Sequence, residues 1–209
     1  MIKAVVFDYG NVISCAKTGD CADEMEKLTG IPADLFRSVY SRFGVDFDRG
    51  LITGAEMYSM LLNSEGYTDL AKNEDLMKKI AYLDMQSWRA WGEDATEWAF
   101  FLKKSGYKLG VLSNMPREFL QYYGDEIPIF TNADYACFSC NIGFVKPEPE
   151  IYYNVLNGLN VKPEETVFFD DIKENVDAAN KIGINGFVWT GLSQAKIDFE
   201  NKIAETKKK

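Results

Sequence analysis

Four short stretches of this 209-residue chain carry residue types that can do chemistry together: Asp8, Ser113-Asn114, Lys146 and Asp170-Asp171. A free carboxylate can attack a phosphoryl group and form an aspartyl-phosphate. Carboxylates at two strand ends can share one hard divalent cation, and Mg²⁺ takes a few carboxylates together with water and phosphate oxygens. A hydroxyl and backbone amides near a helix start can hold a phosphate. A lysine can offset the charge that builds up as a carboxylate attacks a phosphoryl group. The chain contains no histidine, which excludes Ser-His-Asp and Cys-His triads and histidine metal sites. Catalysis has to rest on carboxylates, lysine, hydroxyls or a metal.

For these stretches to meet, particular elements must carry them. Lys3–Asp8 is a short β-branched apolar run followed by the turn Tyr9-Gly10-Asn11, the pattern of a buried parallel strand with a loop at its carboxyl end. From about Cys15 to Glu93 the pattern is helical, with helices expected over Asp20–Thr29, Ala33–Phe43, Glu56–Leu62, Glu74–Tyr82 and Met85–Trp91. Thr53-Gly54-Ala55-Glu56 reads as a capping box. Alternation then begins. Strands are expected over Lys108–Leu112, Ile127–Thr131, Tyr135–Ser139, Thr166–Phe169 and Gly186–Trp189. Helices are expected over Ala95–Ser105, Pro116–Tyr123, Glu148–Leu156, Glu174–Ile182 and Ser193–Ala204. This order predicts an α/β fold: a doubly wound, Rossmann-like parallel sheet with an inserted helical segment. The expected division is a core of 1–14 and 94–209 and a helical cap of 15–93, with joints near Cys15 and Glu93 about which the two rock. Open parallel sheets bind ligands at the carboxyl ends of their strands, where Asp8, Ser113-Asn114 and Asp170-Asp171 fall.

Composition narrows the partners. Apolar residues make up 46% and the net charge is −9, so the chain can bury a core and repels phosphate backbones, which disfavours nucleic acid. No apolar run is long enough for a signal segment or a membrane span, which points to a cytoplasmic protein without a membrane partner. The basic run Lys207-Lys208-Lys209 reads as a frayed tail. Cys137 and Cys140 form a C-x-x-C pair in a strand-like stretch. Without histidine or further ligands it reads as two buried thiols rather than zinc or redox chemistry. The aromatics Phe36, Tyr40, Phe43, Phe47, Tyr58, Trp88 and Trp91 lie mostly at helical spacing and read as core, with some left to shape a pocket. Arg42, Asp46, Asp48 and Arg49 form a charged cluster, either a solvated turn or the rim of a cleft.

Phe7-Asp8-Tyr9-Gly10-Asn11-Val12-Ile13, Leu112-Ser113-Asn114, Gly143-Phe144-Val145-Lys146-Pro147-Glu148-Pro149 and Phe169-Asp170-Asp171-Ile172-Lys173-Glu174-Asn175 resemble the four motifs of the haloacid dehalogenase superfamily, in order and across nearly the whole chain. The helical insertion after the first motif matches that family's C1 cap. The resemblance implies a magnesium-dependent phosphatase acting on a small phosphorylated metabolite. Asp8 would be its nucleophile, with Ser113 and Lys146 catalytic. Tyr9, Gly10, Ser113, Asn114 and Lys146 would hold the phosphate. Asp8, the Gly10 carbonyl and Asp171 would bind Mg²⁺, with Asp170 and Asn175 behind them.

One position departs from the pattern. Phosphatases of this family usually carry a second aspartate two residues after the nucleophile, as the general acid and base, and here that residue is Gly10. Such assistance is worth about 10²–10⁴-fold in rate. The Asp-x-Gly-Asn-Val pattern resembles a subgroup of sugar-phosphate phosphatases acting on α-D-glucose 1-phosphate, whose anomeric oxygen leaves more easily than an ordinary alkoxide. Two other readings stay open. One is a metal-independent 2-haloacid dehalogenase, which needs no leaving-group proton. The other is a weakly catalytic binding or scaffold protein of the same fold.

Overall fold

The computed structural model describes residues 1–14 and 21–207, with Lys207 as backbone only. The expected joint at Cys15 and the first residue of the expected Asp20–Thr29 helix lie outside the described residues. Five strands form one parallel sheet: β1 (Ala4–Phe7), β2 (Lys108–Ser113), β3 (Tyr135–Phe138), β4 (Thr166–Asp170) and β5 (Asn185–Val188). Their spatial order is β3-β2-β1-β4-β5, so the chain winds outward from β1 in both directions. Among the described residues, β1 is followed by six helices: α1 (Cys21–Thr29), α2 (Ala33–Arg37), α3 (Val39–Asp48), α4 (Gly54–Ser64), α5 (Thr68–Ala71) and α6 (Glu74–Ser87). Then follow α7 (Glu93–Lys104), α8 (Arg117–Tyr123), α9 (Pro128–Asn132), α10 (Ser139–Ile142), α11 (Pro149–Leu159), α12 (Lys173–Lys181) and α13 (Leu192–Lys207). The expected doubly wound α/β architecture is present. Among the described residues no helix is long and apolar enough to cross a membrane.

The sheet is buried on both faces, and its strands split their side chains by the period of two. Val5 and Phe7 of β1 join Leu109, Val111, Val167 and Phe169 in one cluster with Trp98 and Phe199. Ala4 and Val6 join Phe168, Tyr152, Ile151 and Val155 in the other. Phe7 stacks on Phe169 at 5.6 Å and meets the edge of Trp98 at 5.5 Å. Each fully buried side chain of this kind contributes roughly 1.5–3 kcal/mol. Gly110 is where helix α11 comes down on β2: a Cβ there would lie 2.8 Å from Leu159 Cδ1 and 3.0 Å from Val6 Cγ2. Gly110→Ala is therefore expected to destabilise the protein by about 1–3 kcal/mol through overpacking. A thermal melt equal to wild type would contradict that.

Three sequence expectations need correcting. Ile127–Thr131 is not a strand but lies across helix α9, which has Pro128 at its first turn. Proline there is pre-set for a helix, and short apolar runs do not distinguish strand from helix by period. Ala33–Phe43 is not one helix. It breaks at Ser38, whose hydroxyl donates to Leu35 O at 2.7 Å and competes with the helical ladder. Conversely, Glu74–Tyr82 and Met85–Trp91 are not two helices, because α6 runs unbroken to Ser87. The capping box at Thr53 forms as expected, with Thr53 Oγ1 accepting from Glu56 N and Glu56 Oε2 from Thr53 N.

The chain leaves and re-enters the sheet layer at one place. Ser14 and Trp91 form an isolated antiparallel bridge, and Gly92 N donates to Ile13 O at 2.7 Å.

Candidate active site

Strand register sets the site. Phe7 pairs with Val111 on one side and Phe169 on the other. Asp8, Ser113 and Asp170 therefore emerge together at the carboxyl edge, and Asp8 N donates to Phe169 O at 2.9 Å. Lys146, in the loop before α11, reaches this edge from the β3 side. Its ammonium sits 2.8 Å from Asp8 Oδ1 and 2.6 Å from Asp170 Oδ2, with the lysine only 5% exposed.

The electrostatics follow from that burial. Burial alone would lower the Lys146 pKa, but the charges of Asp8 and Asp170 outweigh it and hold the ammonium above its ordinary value. Burial pushes the Asp8 carboxyl up to about 6, against the opposing charge of Lys146. The nearby Ser113 hydroxyl also favours the ionised form of Asp8.

Asp170 is fully buried and saturated with donors. Lys146 Nζ and Asn175 Nδ2 reach Oδ2, while Ile172 N and Asn175 Nδ2 reach Oδ1. It anchors Lys146 rather than presenting free oxygens. Asn175 is buried behind it. Asn114 lines the cavity and also holds the lysine loop: its Oδ1 accepts from Lys146 N at 2.7 Å and its Nδ2 donates to Lys146 O at 3.1 Å. One amide N–H remains beyond those two bonds. Tyr9 packs its ring against Phe119 and Phe130, donates its hydroxyl to Trp88 O and turns its amide to Asp8 Oδ1. Asp171 stands at the rim, half-buried, with Oδ2 accepting from Asn11 Nδ2 at 3.0 Å. Asn11 was not singled out by sequence. The available signal was its place in the Tyr9-Gly10-Asn11 turn beside Asp8, and the structure gives it a left-handed backbone, φ 55°, which asparagine tolerates.

Carboxylate oxygens of Asp8, Asp170 and Asp171 lie within 4.8 Å of one another. An all-oxygen donor set suits a hard cation. With Asp170 occupied by its own donors, Asp8 and Asp171 are the two carboxylates left to hold one, so the residues fit Mg²⁺.

Above the edge is a cavity of about 330 Å³. The sheet contributes Asp8, Gly10, Ser113, Lys146 and Asp171, and the helical layer contributes Tyr40, Asp48, Met85 and Trp88. Of the aromatics flagged in sequence, Tyr40 and Trp88 face the cavity, while Phe36, Phe47 and Tyr58 are buried in the core. Of the charged cluster, Asp48 lines it. Arg42 pairs with Glu65, and Arg49 with Glu148. At Gly10 an added Cβ would lie 3.9 Å from both Asp8 Oδ2 and the Trp88 ring. The C-x-x-C thiols are elsewhere: both are buried, and burial pushes Cys137 up to about 12, far from thiolate chemistry.

A family model of the haloacid dehalogenase-like hydrolases matches residues 2–183. The chain belongs to that family. Among its relatives is mouse bifunctional epoxide hydrolase 2, 24% identical over 201 residues, which cover 88% of this chain but 35% of that longer protein. D-ribitol-5-phosphate phosphatase of Bacteroides thetaiotaomicron is 25% identical over 199 residues, covering 90% of this chain and 91% of the relative. A haloacid dehalogenase-family enzyme from the same organism, solved in complex with magnesium and inorganic phosphate, shares the fold. Its TM-score is 0.70 at 19% identity, covering 90% of this chain and 94% of that one.

Proposed function

We propose that this family member is a Mg²⁺-dependent phosphomonoesterase acting on a small phosphorylated metabolite, with sugar phosphates the favoured class. The carrying observation is the buried Asp8–Lys146–Asp170 chain with Asp171 open beside it. Asp8 is the nucleophile. Lys146 holds its carboxylate oriented and neutralises charge on the phosphoryl oxygens, and the Ser113 hydroxyl donates to them. Asp8, Asp171 and the Gly10 carbonyl would hold Mg²⁺, which supplies positive charge to the transferring group. Asp170 and Asn175 keep Lys146 in place, and Asn114 holds its loop. Residues 15–93 act as a cap over a core of 1–14 and 94–209, and a closed cap excludes water and large substrates. Relatives named as phosphatases of D-ribitol 5-phosphate and of phosphorylated carbohydrates support the substrate class.

The test is a panel of sugar phosphates and p-nitrophenyl phosphate, each assayed with Mg²⁺ and with EDTA. Metal-dependent turnover is expected. Chloride release from 2-chloropropionate without metal would identify a dehalogenase instead, and a folded protein inert on the whole panel a binding module. Asp171→Ala is expected to weaken Mg²⁺ activation by at least about 10–100-fold, the loss typical of outer-shell partners alone. An unchanged Mg²⁺ titration would remove Asp171 from the metal site.

A further inference from the structure

We propose that Asp48, at the C-terminal end of α3, is the general acid and base that position 10 lacks. The assignment rests on the phosphatase reading above. Asp48 lines the same cavity as Asp8, Ser113 and Lys146, and it approaches from the opposite layer, where a leaving group would lie.

Its position is set by the core. The fully buried Ser139 hydroxyl donates to Asp48 O at 2.5 Å and accepts from Met115 N at 2.8 Å. Asp48 is thereby tied to the segment that follows Ser113 at the end of β2 and carries Asn114. The next residue, Arg49, pairs with Glu148 and donates to Gly143 O at 3.4 Å, on the loop that carries Lys146. Gly50 then turns with φ +72°, where a Cβ would meet Cys140 O at 3.3 Å. Two separate anchors thus hold the end of α3 against the elements that position the nucleophile.

The side chain has the right chemistry. Burial pushes the Asp48 carboxyl up to about 7. Lys146 opposes the shift, while Asp84 from α6 and Asp8 add to it. Tyr40 and Cys140 also feel its charge. A carboxylic acid half-ionised near neutrality can give a proton and take one back.

The steps balance. An Asp8 oxygen bonds to phosphorus as the P–O bond to the leaving group breaks, and the Asp48 proton goes to the departing oxygen, releasing an alcohol. Asp48, now a carboxylate, takes a proton from water. The hydroxide oxygen bonds to phosphorus, and the P–O bond to Asp8 breaks. Inorganic phosphate leaves, with Asp8 ionised and Asp48 protonated again.

A leaving-group series tests this in the full-length protein with Mg²⁺: 2,4-dinitrophenyl, p-nitrophenyl and phenyl phosphate, in wild type, Asp48→Asn and Asp48→Ser. Phenyl phosphate needs a proton donor, and both variants should lose about 10²–10⁴-fold on it. The dinitrophenolate leaves unaided, so its initial burst should persist while turnover slows and phosphoenzyme accumulates. The fall in wild-type activity on phenyl phosphate at alkaline pH should vanish in the variants. Equal losses on all three esters, with no burst, would make Asp48 a structural residue and overturn the assignment, as would wild-type activity in both variants. Wild-type protein that hydrolyses none of the esters would overturn the phosphatase reading itself, and the assignment with it.

Discussion

Asp8→Asn is expected to reduce phosphate ester hydrolysis by on the order of 10⁴–10⁶-fold, the scale on which removal of a covalent nucleophile acts. The amide has nearly the shape of the carboxylate, and its oxygen can still accept from Tyr9 N, which is 2.7 Å from Asp8 Oδ1. It cannot attack phosphorus. Lys146 loses one of its two anions and keeps Asp170, 2.6 Å away, so the ammonium remains paired and the fold should survive. Steady-state rates, circular dichroism and intact-protein mass after rapid quench check the three parts. Wild type should carry one acid-stable phosphoryl group during turnover, and the variant none. A variant that keeps a tenth of wild-type activity would move the nucleophile elsewhere.

Lys146→Met has a different signature, because it strands two carboxylates in a buried place. Breaking a buried ion pair by removing one partner costs about 3–5 kcal/mol. The cost should depend on pH, and its sign follows from linkage. A carboxyl whose folded-state pKa lies above its unfolded value is penalised for ionising in the fold. Asp8 is already raised by burial to about 6 with the lysine present, and losing the lysine removes what lowers it. The unfolded carboxyl titrates alike in both proteins and cancels from their difference, so the variant's deficit should be smallest below the wild-type folded value of about 6. It should grow as pH rises from there toward the variant's own, higher folded value. Activity should fall together with stability at neutral pH. Thermal melts from pH 4 to 8, taken as wild type minus variant, measure it. A constant difference would mean that Lys146 contributes packing rather than charge.

The residues at the strand ends were legible because a parallel strand ends where its apolar run ends. Phe7-Asp8, Leu112-Ser113 and Phe169-Asp170 each change from apolar to polar at the sheet edge, and the register aligns those changes. Sequence could not tell how the polar groups divide their partners. Asp170 and Asp171 are adjacent and identical in type, yet one is saturated with donors and the other open, which depends on where Lys146 and Asn175 arrive. Asn114 faces the Lys146 backbone for the same reason. The helical layer was least legible. Its helices bury apolar faces against one another as well as against the sheet, so periodicity marks what is buried and not what looks into the cavity. Tyr40 and Phe36 occupy one turn-rich stretch, but only Tyr40 reaches the cavity. The break at Ser38 that separates their helices comes from a hydroxyl competing for a carbonyl, which single-residue propensity does not register.

The bridge between Ser14 and Trp91 makes the helical layer a single excursion from one point on the core. To the sheet it is one long loop with its ends already closed, and lengthening such a loop is cheap, about 0.6 kcal/mol for each doubling. The layer can thus gain, lose or exchange helices with little effect on how the strands assemble. Substrate choice and an acid carried on α3 can then change by grafting, while Asp8 and Lys146 stay where the sheet puts them.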